Sequence, residues 1–148
     1  MSTAPVFVDV GVLLASEDGR EPERQRRALA WLAQLWERRC GRLSIQVLNE
    51  FYVAATRQAK PMMMGDARAE VRRYQHWQPW PQDAATFEAA FAVEARYGLS
   101  YWDSLVLAAA QAQGCRYVLS DELPEGQSFD GVTVLNPFKT GVEVLDAP

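Results

Sequence analysis

Apolar residues along the chain recur with two periods, and the switching between them sets the predicted elements. Over residues 6–10 the valines Val6, Val8 and Val10 alternate with Phe7 and Asp9, the two-residue period of a strand that ends at Gly11 with an acid near its C-terminal end. Over residues 23–39, Ala28, Leu29, Leu32, Leu35 and Trp36 share one helical face while arginines occupy the rest of the wheel. After a break at Cys40-Gly41 a short strand is expected at Leu43-Ser44-Ile45, and helical spacing resumes over residues 46–57 until Pro61 stops it. Residues 65–74 and the Ala-rich residues 83–97 read as two further helices joined by an irregular connection around Trp77 and Trp80, with Gly98 closing the second. Ser100 caps a helix over residues 100–113, and strands are expected at residues 116–120 and 132–135. Strands alternating with helices predict an α/β sandwich with a short, largely parallel sheet. No repeat or low-complexity stretch interrupts this order.

With 148 residues, 49% of them hydrophobic, the chain is expected to form a single domain over residues 1–148 with a sizeable core. Cys40 and Cys115 form no C-x-x-C pair, so no disulfide scaffold is expected and a reducing cytoplasm is the natural setting. A lone histidine, His76, excludes His-rich zinc patterns and disfavours Ser-His-Asp chemistry. No basic stretch precedes the first apolar run, so no signal peptide is expected, and nothing approaches the roughly 18 apolar residues of a membrane span. The formal charge of −4 argues against coating nucleic acid by bulk positive charge. It is unevenly spread: residues 1–73 carry 12 basic and 9 acidic residues, residues 74–148 carry 3 and 10.

The available chemistry is therefore mostly carboxylate. In open α/β sheets reactive groups gather beyond the C-terminal ends of the strands, where Asp9 falls, and where Asp121 and Glu122 follow the strand at residues 116–120. Each also reads as an ordinary polar exit into a turn. Asp103, three residues after Ser100, fits a capping box and at the same time stands in the first turn of its helix. Glu50 shares a helical face with Val47 and Ala54 at the border of the apolar stripe, either solvated or partly buried with a partner. Four such acidic clusters converging would repel one another and raise each other's pKa values, which a hard divalent cation relieves. Oxygen-only ligands favour Mg²⁺ or Mn²⁺ over zinc, and suit phosphodiester hydrolysis by metal-bound water.

Taken together, Phe7-Val8-Asp9-Val10-Gly11, Ser44-Ile45-Gln46-Val47-Leu48-Asn49-Glu50-Phe51, Gly98-Leu99-Ser100-Tyr101-Trp102-Asp103-Ser104 and Leu119-Ser120-Asp121-Glu122-Leu123, with Asn136-Pro137-Phe138 beyond, resemble a PIN domain, more narrowly the VapC-like ribonuclease toxins of type II toxin-antitoxin pairs. The resemblance spans nearly the whole chain. It implies a PIN-like three-layer sandwich and a metal-dependent endoribonuclease in which Asp9, Glu50 and Asp103 organise Mg²⁺ or Mn²⁺. The fourth family acid falls on Glu122, with Asp121 beside it in an order exchanged from that of close relatives; Ser104 and Ser120 stand as supporting residues. Where the family has Asp-Thr/Ser-Asn this chain has Asp9-Val10-Gly11, and losing such a hydrogen-bonding partner of a metal ligand commonly costs about 10–100-fold in affinity or activity.

The resemblance further implies an RNA substrate, such as tRNA or another structured RNA, a cognate antitoxin covering the acids, and a homodimer in the cytoplasm. Arginines of the basic half, among them Arg24, Arg39 and Arg42, are candidates for phosphate contacts around the acids, set against their reading as solvated helix faces. The rival readings are a catalytically impaired PIN domain that binds RNA or protein, and a phosphotransfer enzyme of the haloacid dehalogenase or receiver type. The latter fits poorly, because no second acid stands two residues after Asp9.

Overall fold

The computed structural model describes residues 3–147. Its centre is a five-stranded sheet in the order β2-β1-β3-β5-β4, built from β1 (Val6–Val8), β2 (Gly41–Arg42), β3 (Tyr117–Leu119), β4 (Ser128–Phe129) and β5 (Val132–Leu135). β1 pairs in parallel with β2 (Val6 beside Gly41) and with β3 (Val6 beside Tyr117, Val8 beside Leu119), and β3 continues in parallel to β5. Only β4 runs antiparallel, in a hairpin with β5. The largely parallel α/β sheet expected from the sequence is present, and six helices flank it: α1 (Val10–Ser16), α2 (Pro22–Arg38), α3 (Ile45–Arg57), α4 (Met64–Tyr74), α5 (Ala84–Tyr97) and α6 (Tyr101–Ala112).

The parallel strands lie inside the molecule. Val6, Phe7, Val8, Val118, Leu119 and Val134 are fully buried, as near-continuous apolar strands covered on both faces must be. Helices contribute Trp31, Leu35, Val47, Phe51, Val106 and Leu107 to the same core. No helix is long and apolar enough to cross a membrane among the described residues.

Four elements differ from the sequence expectation, one of them α1 (Val10–Ser16), a seven-residue helix where none is expected. The first strand stops at Val8, because Asp9 turns its side chain onto Val10 N and starts a helix instead of extending the strand to residue 10. The strand expected at Leu43-Ser44-Ile45 begins two residues earlier and covers Gly41–Arg42; Ser44 is the N-cap of α3, its Oγ accepting from Val47 N at 3.3 Å. β4 has two residues and no periodicity of its own to reveal it. Sheet order matters most for function: the chain passes from β1 outward to β2 and returns to β3 on the other side, so the β1/β3 boundary is the topological switch point where open parallel sheets form their crevice.

Candidate active site

Asp9 stands at that boundary, at the junction of β1 and α1. Its Oδ1 accepts from Val10 N at 2.8 Å and its Oδ2 from Ser120 Oγ at 3.0 Å, across from the end of β3. The Ser120 oxygen also accepts from the backbone N–H groups of Glu122 (3.1 Å) and Leu123 (3.2 Å). One buried hydroxyl thus ties Asp9 to the turn that carries Asp121 and Glu122 away from β3.

Two helices bring the remaining acids. Glu50, half-buried on α3, accepts from Gln46 Nε2 at 2.8 Å, and Gln46 also donates to the Trp102 carbonyl at 3.4 Å, next to Asp103. Gln46 is buried and clamps α3 to the first turn of α6, a role that sequence reasoning missed. Its only signal was a polar residue one turn before Glu50 on the same helical face. Asp103 N donates to Ser100 Oγ at 3.1 Å, while among the described residues the Asp103 carboxylate makes no bond back to Ser100. Only the forward half of the capping box forms, and the carboxylate is free for other work. Ser104, fully buried, donates its hydroxyl to Ser100 O at 2.8 Å within its own helix.

Burial raises the Asp9 pKa from 3.8 to about 6, outweighing the bonds from Val10 N and Ser120, and the charges of Glu122 and Glu50 push the same way. Glu122 is raised too, first by desolvation, then by the charges of Asp121, Asp103 and Glu50. Asp9, Glu50, Asp103 and Glu122 therefore share one electrostatic neighbourhood. Among the described residues none of the four pairs with a lysine or arginine.

Asp121 is different. Its Oδ2 accepts from Arg24 Nη2 at 2.8 Å, and the Arg24 guanidinium lies 3.8 Å over the Phe138 ring. A β-carbon at position 11 would stand 2.9 Å from Asp121 Oδ1, so Gly11 gives this carboxylate the room it uses. The family asparagine is thus replaced by a gap into which Asp121 leans.

The donor set is oxygen only and lacks cationic compensation, which fits a hard divalent cation such as Mg²⁺ or Mn²⁺. Among the described residues no three acids, histidines or cysteines are gathered tightly enough to ligate one ion as they stand. Ligation by more than two acids therefore requires side-chain rotation, for which the long Glu50 and Glu122 have the freedom.

A PIN domain family model matches residues 6–123. Among solved structures the chain resembles the crystal structure of VapC20 from Mycobacterium tuberculosis, described as a sarcin-ricin loop cleaving toxin, with a TM-score of 0.56 and 21% identity over 76% of this chain and 86% of that one. No curated protein matches significantly. At that identity the structural likeness speaks for the fold. The family match begins at the first residue of β1 and ends just past Glu122, enclosing Asp9, Glu50, Asp103 and Ser120 with every element that carries them, and the chain belongs to the PIN domain family.

Proposed function

We propose that this chain is a Mg²⁺- or Mn²⁺-dependent endoribonuclease, the toxin of a type II toxin-antitoxin pair, that hydrolyses RNA phosphodiester bonds. The observation that carries the reading is Asp9: a buried carboxylate at the switch point of the sheet, pushed to about 6 beside Glu122 and Glu50, with no cationic side chain paired to it among the described residues. A structural carboxylate in that position would be expected to have one.

Asp9, Glu50, Asp103 and Glu122 would hold the cation. A divalent ion bound there would lower the pKa of a bound water and polarise a phosphoryl oxygen. Ser120 keeps Asp9 oriented, and Gln46 holds Glu50 beside the first turn of α6 until it turns toward the ion. Glu122, rather than Asp121, serves as the fourth acid, since Asp121 is engaged by Arg24. Exposed Phe87, Phe91 and Trp102 on α5 and α6, and Met63 and Met64 before and at the start of α4, support interfaces for a second copy and for an antitoxin.

Structured RNA incubated with Mg²⁺ or Mn²⁺ tests the reading. Asp9→Asn and Asp103→Asn should each lower cleavage by more than about 100-fold, beyond the range seen for outer hydrogen-bond partners of a metal; undiminished cleavage by both variants would falsify it. Gly11, in place of the family asparagine, favours a second reading, a PIN domain that binds partners without cutting. A calorimetric titration that shows no heat with Mn²⁺, on protein of intact fold, selects that one.

A further inference from the structure

Along the β2 edge of the sheet, apart from the acids, lies a cavity of about 690 Å³ lined by Trp36, Trp77 and Trp80 together with Arg39, Arg42 and His76. No aspartate or glutamate lines it. Indole faces beside guanidiniums are the combination that accepts a nucleobase by stacking and a phosphate by a two-pronged hydrogen bond. The cations are available. Arg39 makes no ion pair among the described residues, and Arg42 spends only Nη1, on the Gly41 carbonyl at 2.9 Å and more weakly on the Arg39 carbonyl at 3.5 Å.

Two helix ends meet at the cavity: Arg39 closes α2 and Gln78 closes the short turn Gln75–Trp77. Arg39 (φ 55°) and Gln78 (φ 54°) are two of the three non-glycine residues with left-handed backbone among those described, and both line this cavity. Glycine would take either conformation without strain, yet the chain places a guanidinium and an amide there. At Gly41 the logic is reversed: the Trp77 indole occupies the place of a β-carbon, so the ring lies against the backbone of β2.

The cavity is also linked to the acids. Trp80 bonds both ways with the chain at the start of α3 (Trp80 N to Leu43 O and Ile45 N to Trp80 O, each 3.0 Å). Two residues later Gln82 donates to Gln46 Oε1 at 3.4 Å, and Gln46 holds Glu50. Trp36 and Trp77 pack on each other and on Tyr74 and form the cavity's rigid wall, which leaves the half-buried Trp80 and the exposed His76 as the rings open to a base. We propose that this cavity is a subsite for one unpaired nucleotide of the RNA substrate, its base against Trp80 and His76 and its phosphate on Arg39 and Arg42. The subsite rests on the ribonuclease reading, since the strand it holds runs on to Glu50 and Asp9, but its own binding step requires no metal.

A short single-stranded RNA of mixed sequence, fluorescently labelled and titrated in EDTA, separates the two. Arg39→Gly keeps the left-handed backbone accessible and Arg42→Gln keeps a polar side chain, so melting temperature should hold for both. The double variant should bind about tenfold more weakly, and its salt slope should fall by about one per arginine removed. Saturable quenching of tryptophan fluorescence by the RNA should be lost in parallel. Binding that is indifferent to the two substitutions, no binding by the unmodified chain, or equal competition by polyglutamate overturns the subsite. Arginine-dependent binding without metal-dependent cleavage leaves the subsite standing and strikes the nuclease reading alone.

Discussion

At the residue scale the decisive group is Asp9, whose ionisation the fold opposes. Its pKa is about 6 in the folded protein and near the ordinary 3.8 in the unfolded chain, so between those values the folded state holds a proton that the unfolded state has released. Stability therefore falls as pH rises from about 4 to about 6, by on the order of 3 kcal/mol for a shift of roughly two units. Asp9→Asn removes the ionisation while its amide oxygen can still accept from Val10 N; the bond from Ser120 is given up, because that hydroxyl oxygen already accepts from two N–H groups. In chelator at about pH 8 the variant should melt higher by on the order of 5 °C, with the gap closing toward about pH 4. Equal melting temperatures at both ends would show that Asp9 is not a strained carboxylate. Ser120→Ala tests the complementary half: losing the bond to Asp9 and the acceptor for two N–H groups should cost about 1–3 kcal/mol in a urea titration and slow RNA cleavage about 10–100-fold. Asp9 and Ser120 were legible because each ends a strand in a short motif. Gln46 was not, because its purpose exists only once the Trp102 carbonyl, far along the chain, packs against it.

At the scale of elements, what was legible followed the length of the periodic signal. α2, α3, α4, α5 and α6 each run for eleven residues or more, and each lies within a few residues of its expected bounds. Strands of two to four residues carry too few alternations to fix their ends, and side-chain bonds to the backbone settle them instead, as at Asp9 and Ser44. The β4–β5 hairpin had a signal of another kind: Asp130-Gly131, with φ of 52° and 94°, is the pair a two-residue turn with left-handed backbone demands. Caps also connect elements to chemistry. Because Ser100 Oγ receives Asp103 N itself, Ser100→Ala should cost about 1 kcal/mol of stability and also loosen the first turn that carries the carboxylate. Cleavage should fall while melting drops by only a few degrees; full activity at reduced stability would confine Ser100 to a structural role.

At the scale of the whole molecule, a net charge of −4 with the acids partly concentrated at one crevice changes what the total means. The fold gathers Asp9 and Glu50 from the basic half and Asp103 and Glu122 from the acidic half at a single switch point, while Arg39 and Arg42 stay along the β2 edge. Such an assembly holds repulsion that a divalent cation would remove, and whatever binds the folded state alone stabilises it by mass action. At about 100 times its dissociation constant the gain is about 2.7 kcal/mol, which for a domain of this size corresponds to a melting rise on the order of 5–10 °C. Mn²⁺ or Mg²⁺ should produce that rise in the unmodified chain and EDTA should reverse it. In Asp103→Asn the rise should shrink, and in Asp9→Asn, already relieved of its buried charge, it should nearly vanish. The two variants therefore respond weakly for different reasons: Asp9→Asn starts from a state already free of the buried charge, and Asp103→Asn lacks a ligand for the ion. A melting curve that responds to metal equally in all three proteins would place the cation elsewhere on the surface and leave the four acids without the partner that the burial of Asp9 and their mutual repulsion call for.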